Sequence, residues 1–275
     1  MQKGQLYYRQ SEISYRLSGS GSRLAVCFHG YGEVAGSFDF LSQYLGNEYR
    51  FLSIDLPFHG KTVWLEGLIL LPEELEAILQ LLFERYSIDY RKPDFKITLV
   101  GYSLGGRVCL SVYQLFPAMV ERLVLLAPDG LKVNFWYWLA TQTHAGNQFF
   151  AFTMKHPQWF FGLVKLMHKT GMVNASIFKF TNYYIGDPVV RQQLYDRWTT
   201  LRKFKPDLNL IKQEINRQPT QVRLLYGIHD RIILSSAGKK FCKGIETYSR
   251  LTEIQAGHQL LHEKHAKEIM PAFLQ

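Results

Sequence analysis

Ile97-Thr98-Leu99-Val100-Gly101-Tyr102-Ser103-Leu104-Gly105-Gly106-Arg107 decides the fold of this 275-residue chain. Its first four residues are apolar or β-branched without alternation, as a strand covered on both faces requires. The run breaks at Gly101, and a helical pattern opens directly after Ser103 and continues to Phe116, before Pro117. A Gly-x-Ser-x-Gly run alone says little. Between a buried strand and a helix it predicts a strained elbow with the Ser103 hydroxyl exposed at the top of a sheet. Gly101, Gly105 and Gly106 allow that turn to close without clashing Cβ atoms.

Outward from the elbow the same rhythm repeats. Residues 24–28, 51–54, 123–126 and 222–226 are apolar runs of strand length, ending at His29-Gly30, Asp55, Pro128-Asp129-Gly130 and Gly227. A shorter run, 251–254, precedes Gly257-His258. Helical patterns fill the gaps. Pro72 suits a first helical position, with Glu73 and Glu74 at the positive end of the dipole and Leu75, Leu79, Leu82 and Tyr86 on one face. Residues 263–274 predict one last helix, and residues 5–8 and 13–17 a polar antiparallel hairpin at the sheet edge. Strands alternating with helices predict an α/β fold with a mostly parallel sheet flanked by helices. Residues 131–217 break the rhythm. They show no sheet strand, only aromatic-rich helical segments punctuated at Gly146, Pro157, Gly171, Pro188 and Pro206. The expected organisation is a core domain of residues 1–130 and 218–275 carrying a helical insertion of residues 131–217.

A serine hydroxyl is a poor nucleophile without a base. His258 is the candidate, standing in the loop between the final strand and the last helix. The base needs a carboxylate to fix its tautomer and stabilise its cation. Asp230, after the run 222–226, fits the chain order Ser, acid, His; Asp129, also at a strand end, is a competitor. Charge developing on a carbonyl oxygen needs aimed donors. The backbone N–H of Leu104, at a helix start, is one candidate, and that of Tyr31, in the loop after residues 24–28, is the other. The His29 side chain is expected to bond within its loop, and residues 55–60 to form a rigid turn.

Together these residues resemble the α/β-hydrolase family, in its capped branch with a serine nucleophile. The matching pieces are His29-Gly30, the turn from Asp55 to Gly60, the Ser103 elbow, Gly227 to Asp230, and Gly257-His258 with Glu263. The resemblance implies an eight-stranded sheet, a Ser103–Asp230–His258 triad, and a cap (lid) domain inserted after the sixth strand, where residues 131–217 lie. One departure is His265, where many relatives carry a proline.

The formal net charge of +9 is unevenly placed. Residues 131–217 hold 12 Lys+Arg against 4 Asp+Glu, a net of +8, and 17 of the chain's 40 aromatic residues. One reading is an insertion that packs its aromatics and solvates its lysines. The sharper one is a lid with a cationic rim, suited to an amphipathic anionic substrate or to transient contact with an anionic membrane. Trp159-Phe160-Phe161, Leu163-Val164 and Leu166-Met167 would form its apolar surface, flanked by Lys155, Lys165 and Lys169. No nucleic-acid-binding module is recognisable. No Cys or His pair has zinc-like company, and no phosphate-binding glycine loop occurs, so neither metal nor cofactor is expected. The start of the chain lacks an apolar signal-peptide core, and three cysteines, Cys27, Cys109 and Cys242, lie far apart; a cytoplasmic address follows as the expectation.

The function expected is a serine hydrolase that cleaves a carboxylic ester or thioester of an apolar, anionic small molecule through an acyl-enzyme. One rival is a carbon–carbon bond hydrolase or lyase, because the run 101–107 resembles that of the menaquinone-pathway enzyme that eliminates pyruvate. The other is a non-catalytic ligand-binding protein on the same fold.

Overall fold

The computed structural model describes residues 1–132, 135–169 and 185–274. The predicted break at Gly171 and the side chain of Lys169 lie outside the described residues. The chain divides into two units. The first gathers Met1–Glu66, Leu70–Lys132 and Lys203–Gln275; the second gathers Gly67–Ile69 with Val133–Arg202.

The apolar runs of the first unit become eight strands: β1 (Gln2–Tyr8), β2 (Ser11–Ser18), β3 (Arg23–Phe28), β4 (Tyr49–Ile54), β5 (Ile97–Tyr102), β6 (Val120–Leu126), β7 (Gln221–Gly227) and β8 (Ser249–Ile254). They form one sheet in the order β1-β2-β4-β3-β5-β6-β7-β8. From β4 to β8 all neighbours are parallel, and the β1–β2 and β2–β4 pairings are antiparallel. The eight-stranded, mostly parallel sheet is the one that the family resemblance implies. The central runs lack alternation because both faces are covered: every residue of β5 is buried. Of the two hairpin strands only β1 lies at an edge of the sheet; the other edge is β8. β2 lies inside the sheet and buries Ile13 and Tyr15, so the hairpin expected to be polar is polar on one strand only.

Helices cover this sheet. After the short α1 (Leu41–Leu45), α2 (Pro72–Arg85) buries Leu75, Leu79 and Leu82, as its spacing predicts, with Ile78 and Phe83 beside them, while Tyr86 stands half-buried just past the helix end. Glu74 accepts a hydrogen bond from the Leu71 N–H, 2.9 Å, and so caps the helix start. α3 (Leu104–Leu115) leaves the Ser103 elbow and is buried from Leu104 to Tyr113.

The second unit contains α4 (Phe135–Gln142), α5 (His144–Lys155), α6 (Gln158–Lys169) and α7 (Pro188–Thr200). Its core is Phe150, Met154 and Ile185, with Ala140, Phe160, Phe161, Leu194, Tyr195 and Trp198 packed against them. Polar bonds lock the helices together. Asn147 donates to the Ala140 carbonyl (3.0 Å) and Arg191 to those of Met154 (2.6 Å) and Ile185 (3.0 Å). Asp187 caps α7 by accepting from the Val189 and Val190 N–H groups.

The division falls at Arg202 and not at residue 217. Asp207 caps α8 (Leu208–Arg217), whose Ile211 and Ile215 are buried, and α8 packs on α3 within the first unit. Beyond β7 runs α9 (Ser235–Cys242). The last predicted helix is broken into a 3-10 turn at Glu263–His265, α10 (Ala266–Ile269) and α11 (Pro271–Leu274). Pro271 has no N–H to continue the ladder, so the chain restarts there.

Candidate active site

Ser103 sits between β5 and α3 with φ 49° and ψ −115°, a left-handed conformation that costs a non-glycine residue of order 1–3 kcal/mol. The surrounding structure holds it there. Its N–H donates to the Leu126 carbonyl, 2.9 Å, and its carbonyl accepts from Gly106 (2.9 Å) and Asp129 (2.8 Å). The glycines are required by close approach. A Cβ on Gly105 would stand 1.8 Å from the Phe28 carbonyl oxygen, and one on Gly101 2.6 Å from that of Gly105. α3 therefore packs directly on β3, aiming its start and the Ser103 hydroxyl at the loops above the sheet.

Those loops bring the candidate base and its candidate carboxylate. His258 Nε2 is 3.1 Å from Ser103 Oγ, and His258 Nδ1 is 2.7 Å from Asp230 Oδ2. An ionised carboxylate only accepts, so Nδ1 carries the proton and Nε2 is left to accept from the serine hydroxyl. The Asp230 side chain is fully buried, while that of His258 is 21% exposed. Asp230 Oδ1 accepts from the backbone N–H groups of Ile232 (2.7 Å) and Ile233 (3.0 Å), so both carboxylate oxygens are held.

Asp129 is placed differently. Its Oδ2 pairs with the buried Arg107 guanidinium at 2.6 Å, and its Oδ1 accepts from the Gly130 N–H at 2.7 Å. The carboxylate on His258 is thus that of Asp230. Arg107, just beyond the elbow glycines, is what occupies its competitor.

Tyr31 lies in the turn after β3, where the Glu33 N–H donates to the Gly30 carbonyl, 3.2 Å. This turn runs against the elbow: a Cβ on Gly30 would be 3.3 Å from Ser103 Cβ and 2.8 Å from the Tyr102 ring. Leu104 is the first residue of α3, where backbone N–H groups have no partner within the helix. His29 is buried, accepts from the Leu56 N–H through Nε2 (3.1 Å) and lies 2.8 Å from the Gly30 carbonyl through Nδ1. It therefore ties two loops together as a neutral ring, one loop more than the sequence suggests. Asp55 anchors the second of these loops, accepting from the Ala35 (2.6 Å) and Lys61 (3.1 Å) N–H groups.

Two supports are absent from the sequence-based reading. Tyr102 donates from its hydroxyl to the His258 carbonyl at 3.2 Å, its ring 5.6 Å from the imidazole. Burial, then the charges of Glu33 and Asp230, push its phenol above the ordinary range, so it stays a donor. Gln259 donates to Glu33 at 3.0 Å and so joins the histidine loop to the Tyr31 turn. The only signal for Tyr102 was its place inside the motif, and nothing local marked Gln259 or Glu33.

The chain is similar to several known proteins. The chain is 31% identical over 116 residues to the serine hydrolase-like protein of Danio rerio, covering 40% of this chain but only about a third (32%) of that protein. It is 22% identical over 250 residues to the uncharacterized hydrolase YugF of Bacillus subtilis, covering 89% and 86%. To the pimeloyl-acyl-carrier-protein methyl ester esterase of Nitrosomonas europaea it is 30% identical over 130 residues, 46% of each chain. Among solved structures, a thermophilic esterase from Thermogutta terrifontis superposes with a TM-score of 0.67 at 15% identity, covering 100% of this chain and 97% of that one. The sequence model of the alpha/beta hydrolase family matches residues 25–272, nearly the whole chain: the chain belongs to the alpha/beta hydrolase family.

Proposed function

We propose that the protein is a serine hydrolase that cleaves a carboxylic ester or thioester through an acyl-enzyme. The observation that carries this reading is the continuous hydrogen-bond chain Ser103–His258–Asp230, with links of 3.1 and 2.7 Å. Ser103 Oγ attacks the substrate carbonyl as His258 Nε2 takes its proton. Asp230 holds the imidazole in the required tautomer and stabilises the imidazolium. The N–H groups of Leu104 and Tyr31 receive the developing oxyanion; the helix start at Leu104 and the approach of the Gly30 turn to Ser103 support those roles. His258 then protonates the leaving alcohol or thiol. A water deprotonated by His258 attacks the acyl-enzyme and releases the acid.

For the substrate, the proposal is an acyl group of apolar character with an anionic end. The excess of cationic residues in 131–217, 12 against 4, supports this, as does the likeness to an enzyme named for a methyl ester. In this reading residues 133–202 act as a cap that recognises the substrate. A relative named for a methyl ester and one named for a cyclohexadiene-carboxylate synthase match this chain equally, 30% identical over 130 and 125 residues, so substrate turnover decides between ester and carbon–carbon cleavage.

The test is a panel of p-nitrophenyl esters of increasing acyl length, with acyl-CoA thioesters beside it. Hydrolysis of at least one, with kcat/KM lowered about 10⁴-fold or more in Ser103→Ala, is the expected outcome. Turnover of a carboxylated cyclohexadiene or diketone with no ester cleavage would replace it by the lyase reading. No turnover of any class, with ligand retained, would replace it by the binding-protein reading.

A further inference from the structure

The second unit has a core of its own, yet it also turns large apolar side chains outward. On α6, Trp159, Leu163 and Leu166 are 38%, 44% and 59% exposed and recur at helical spacing, so they form one stripe. The opposite side of α6 is used inward, with Phe160 and Phe161 packed on the Phe150–Met154–Ile185 core. On α5, Phe149 and Phe152 are 56% and 52% exposed. The rings of Phe149 and Trp159 lie 5.2 Å apart and join the two rows into one patch. Single exposed apolar residues are ordinary, but a contiguous patch of this kind marks a contact surface.

Charge says what the surface contacts. Lys155 and Lys165 are exposed on the same two helices. From residue 131 to residue 186 the chain contains Lys132, Lys155, Lys165, Lys169 and Lys179 but no aspartate or glutamate. A second copy of this chain would set lysines against lysines with no acid in that stretch to compensate. No helix among the described residues is long and apolar enough to cross a membrane. Aromatic rings and leucines beside lysines, with no carboxylate on either α5 or α6, are the composition of a helix surface that lies in a lipid interface.

We propose that the exposed face of α5 and α6 docks on the surface of an anionic lipid bilayer. Phe149, Phe152, Trp159, Leu163 and Leu166 enter the boundary between headgroups and acyl chains, while Lys155 and Lys165 meet the anionic headgroups. The inference stands on these residues alone and is independent of the chemistry at Ser103.

Co-sedimentation of the full chain with vesicles tests it, using phosphatidylcholine alone and phosphatidylcholine with phosphatidylserine. Binding to the phosphatidylserine vesicles at least about tenfold tighter than to neutral ones is expected, from about fivefold for each lysine near the surface. It should weaken about 25-fold or more in Lys155→Glu/Lys165→Glu. It should be lost in Leu163→Glu/Leu166→Glu, with circular dichroism melts confirming that the variants fold. Lys155→Gln/Lys165→Gln, which removes charge without reversing it, should fall between the first pair and the native chain. Equal binding to both vesicle types, or binding unchanged by these substitutions, would overturn the proposal. So would a dimer in sedimentation equilibrium, dispersed by the leucine substitutions, from a chain that ignores both vesicles.

Discussion

In the first unit a carboxylate, Asp230, is buried to zero exposure and held by three hydrogen bonds. In the second, a tryptophan ring on α6 stands 38% exposed. The contrast runs through both units. Around Ser103, buried polar groups such as His29 and Asp55 tie loops to one another. On α5 and α6, apolar groups lie on the surface beside cations. Polar groups inside and apolar groups outside both run against the general tendency of burial, and both mark places where something other than stability has to be served. The first arrangement suits chemistry at a point; the second suits adhesion over an area.

The sharpest way to break the comparison is to remove the point. Ser103→Ala should lower ester kcat/KM about 10⁴-fold or more while leaving vesicle binding unchanged, measured on one preparation. The next test separates the two carboxylates. Asp230→Asn should lower kcat about 10³–10⁴-fold, because the asparagine amide stabilises the wrong imidazole tautomer. Asp129→Asn should change kcat less than about tenfold. It should instead cost about 2 kcal/mol of stability in urea, by depriving the buried Arg107 of its charged partner. Equal losses of activity would dissolve the distinction between the two sites.

These carboxylates also show how far the sequence reaches. Each follows a strand and precedes a turn, and local pattern leaves both open; only the side chain of Arg107, fixed by the packing of α3, separates them. The elbow, the parallel strands and His258 were legible because each is written in contiguous residues whose spacing or glycine content has one structural meaning. The unit boundary was not. α8 carries an Asp207 cap and a buried Ile211–Ile215 pair that fit a core helix as well as an inserted one, and its packing on α3 is non-local. Gly67–Ile69 joins the second unit from more than sixty residues away in sequence. The tail was over-read as one helix by following apolar spacing through Pro271. The loop ties through Tyr102, Gln259 and Glu33 are contacts between segments far apart, which no local pattern encodes.

A backbone test follows in size. Gly105→Ala sets a Cβ 1.8 Å from the Phe28 carbonyl oxygen, against main chain that cannot yield. A loss of about 3 kcal/mol or more is expected in thermal or urea unfolding, or no folded protein at all. The same change at Gly162 on α6, where a Cβ meets nothing within 4 Å, should be neutral or stabilising in the same melts. The smallest effect concerns His265. Burial, reinforced by Lys264 and opposed by Glu268, holds its imidazole below the ordinary value of 6.5. The folded chain therefore binds this proton less readily than the unfolded one. Its contribution is complete above pH 6.5 and is lost as pH falls through the lower folded value. Urea midpoints at pH 7.5 and 5.5 should differ less in His265→Gln than in the native chain.

Most direct is the intact mass of the native protein and of Ser103→Ala after exposure to a fluorophosphonate probe. One adduct on the native chain, mapped to the peptide containing Ser103, and none on the variant is the predicted result. A native chain that stays unmodified, or a variant that still takes up the probe, would contradict the assignment of Ser103 as the activated nucleophile.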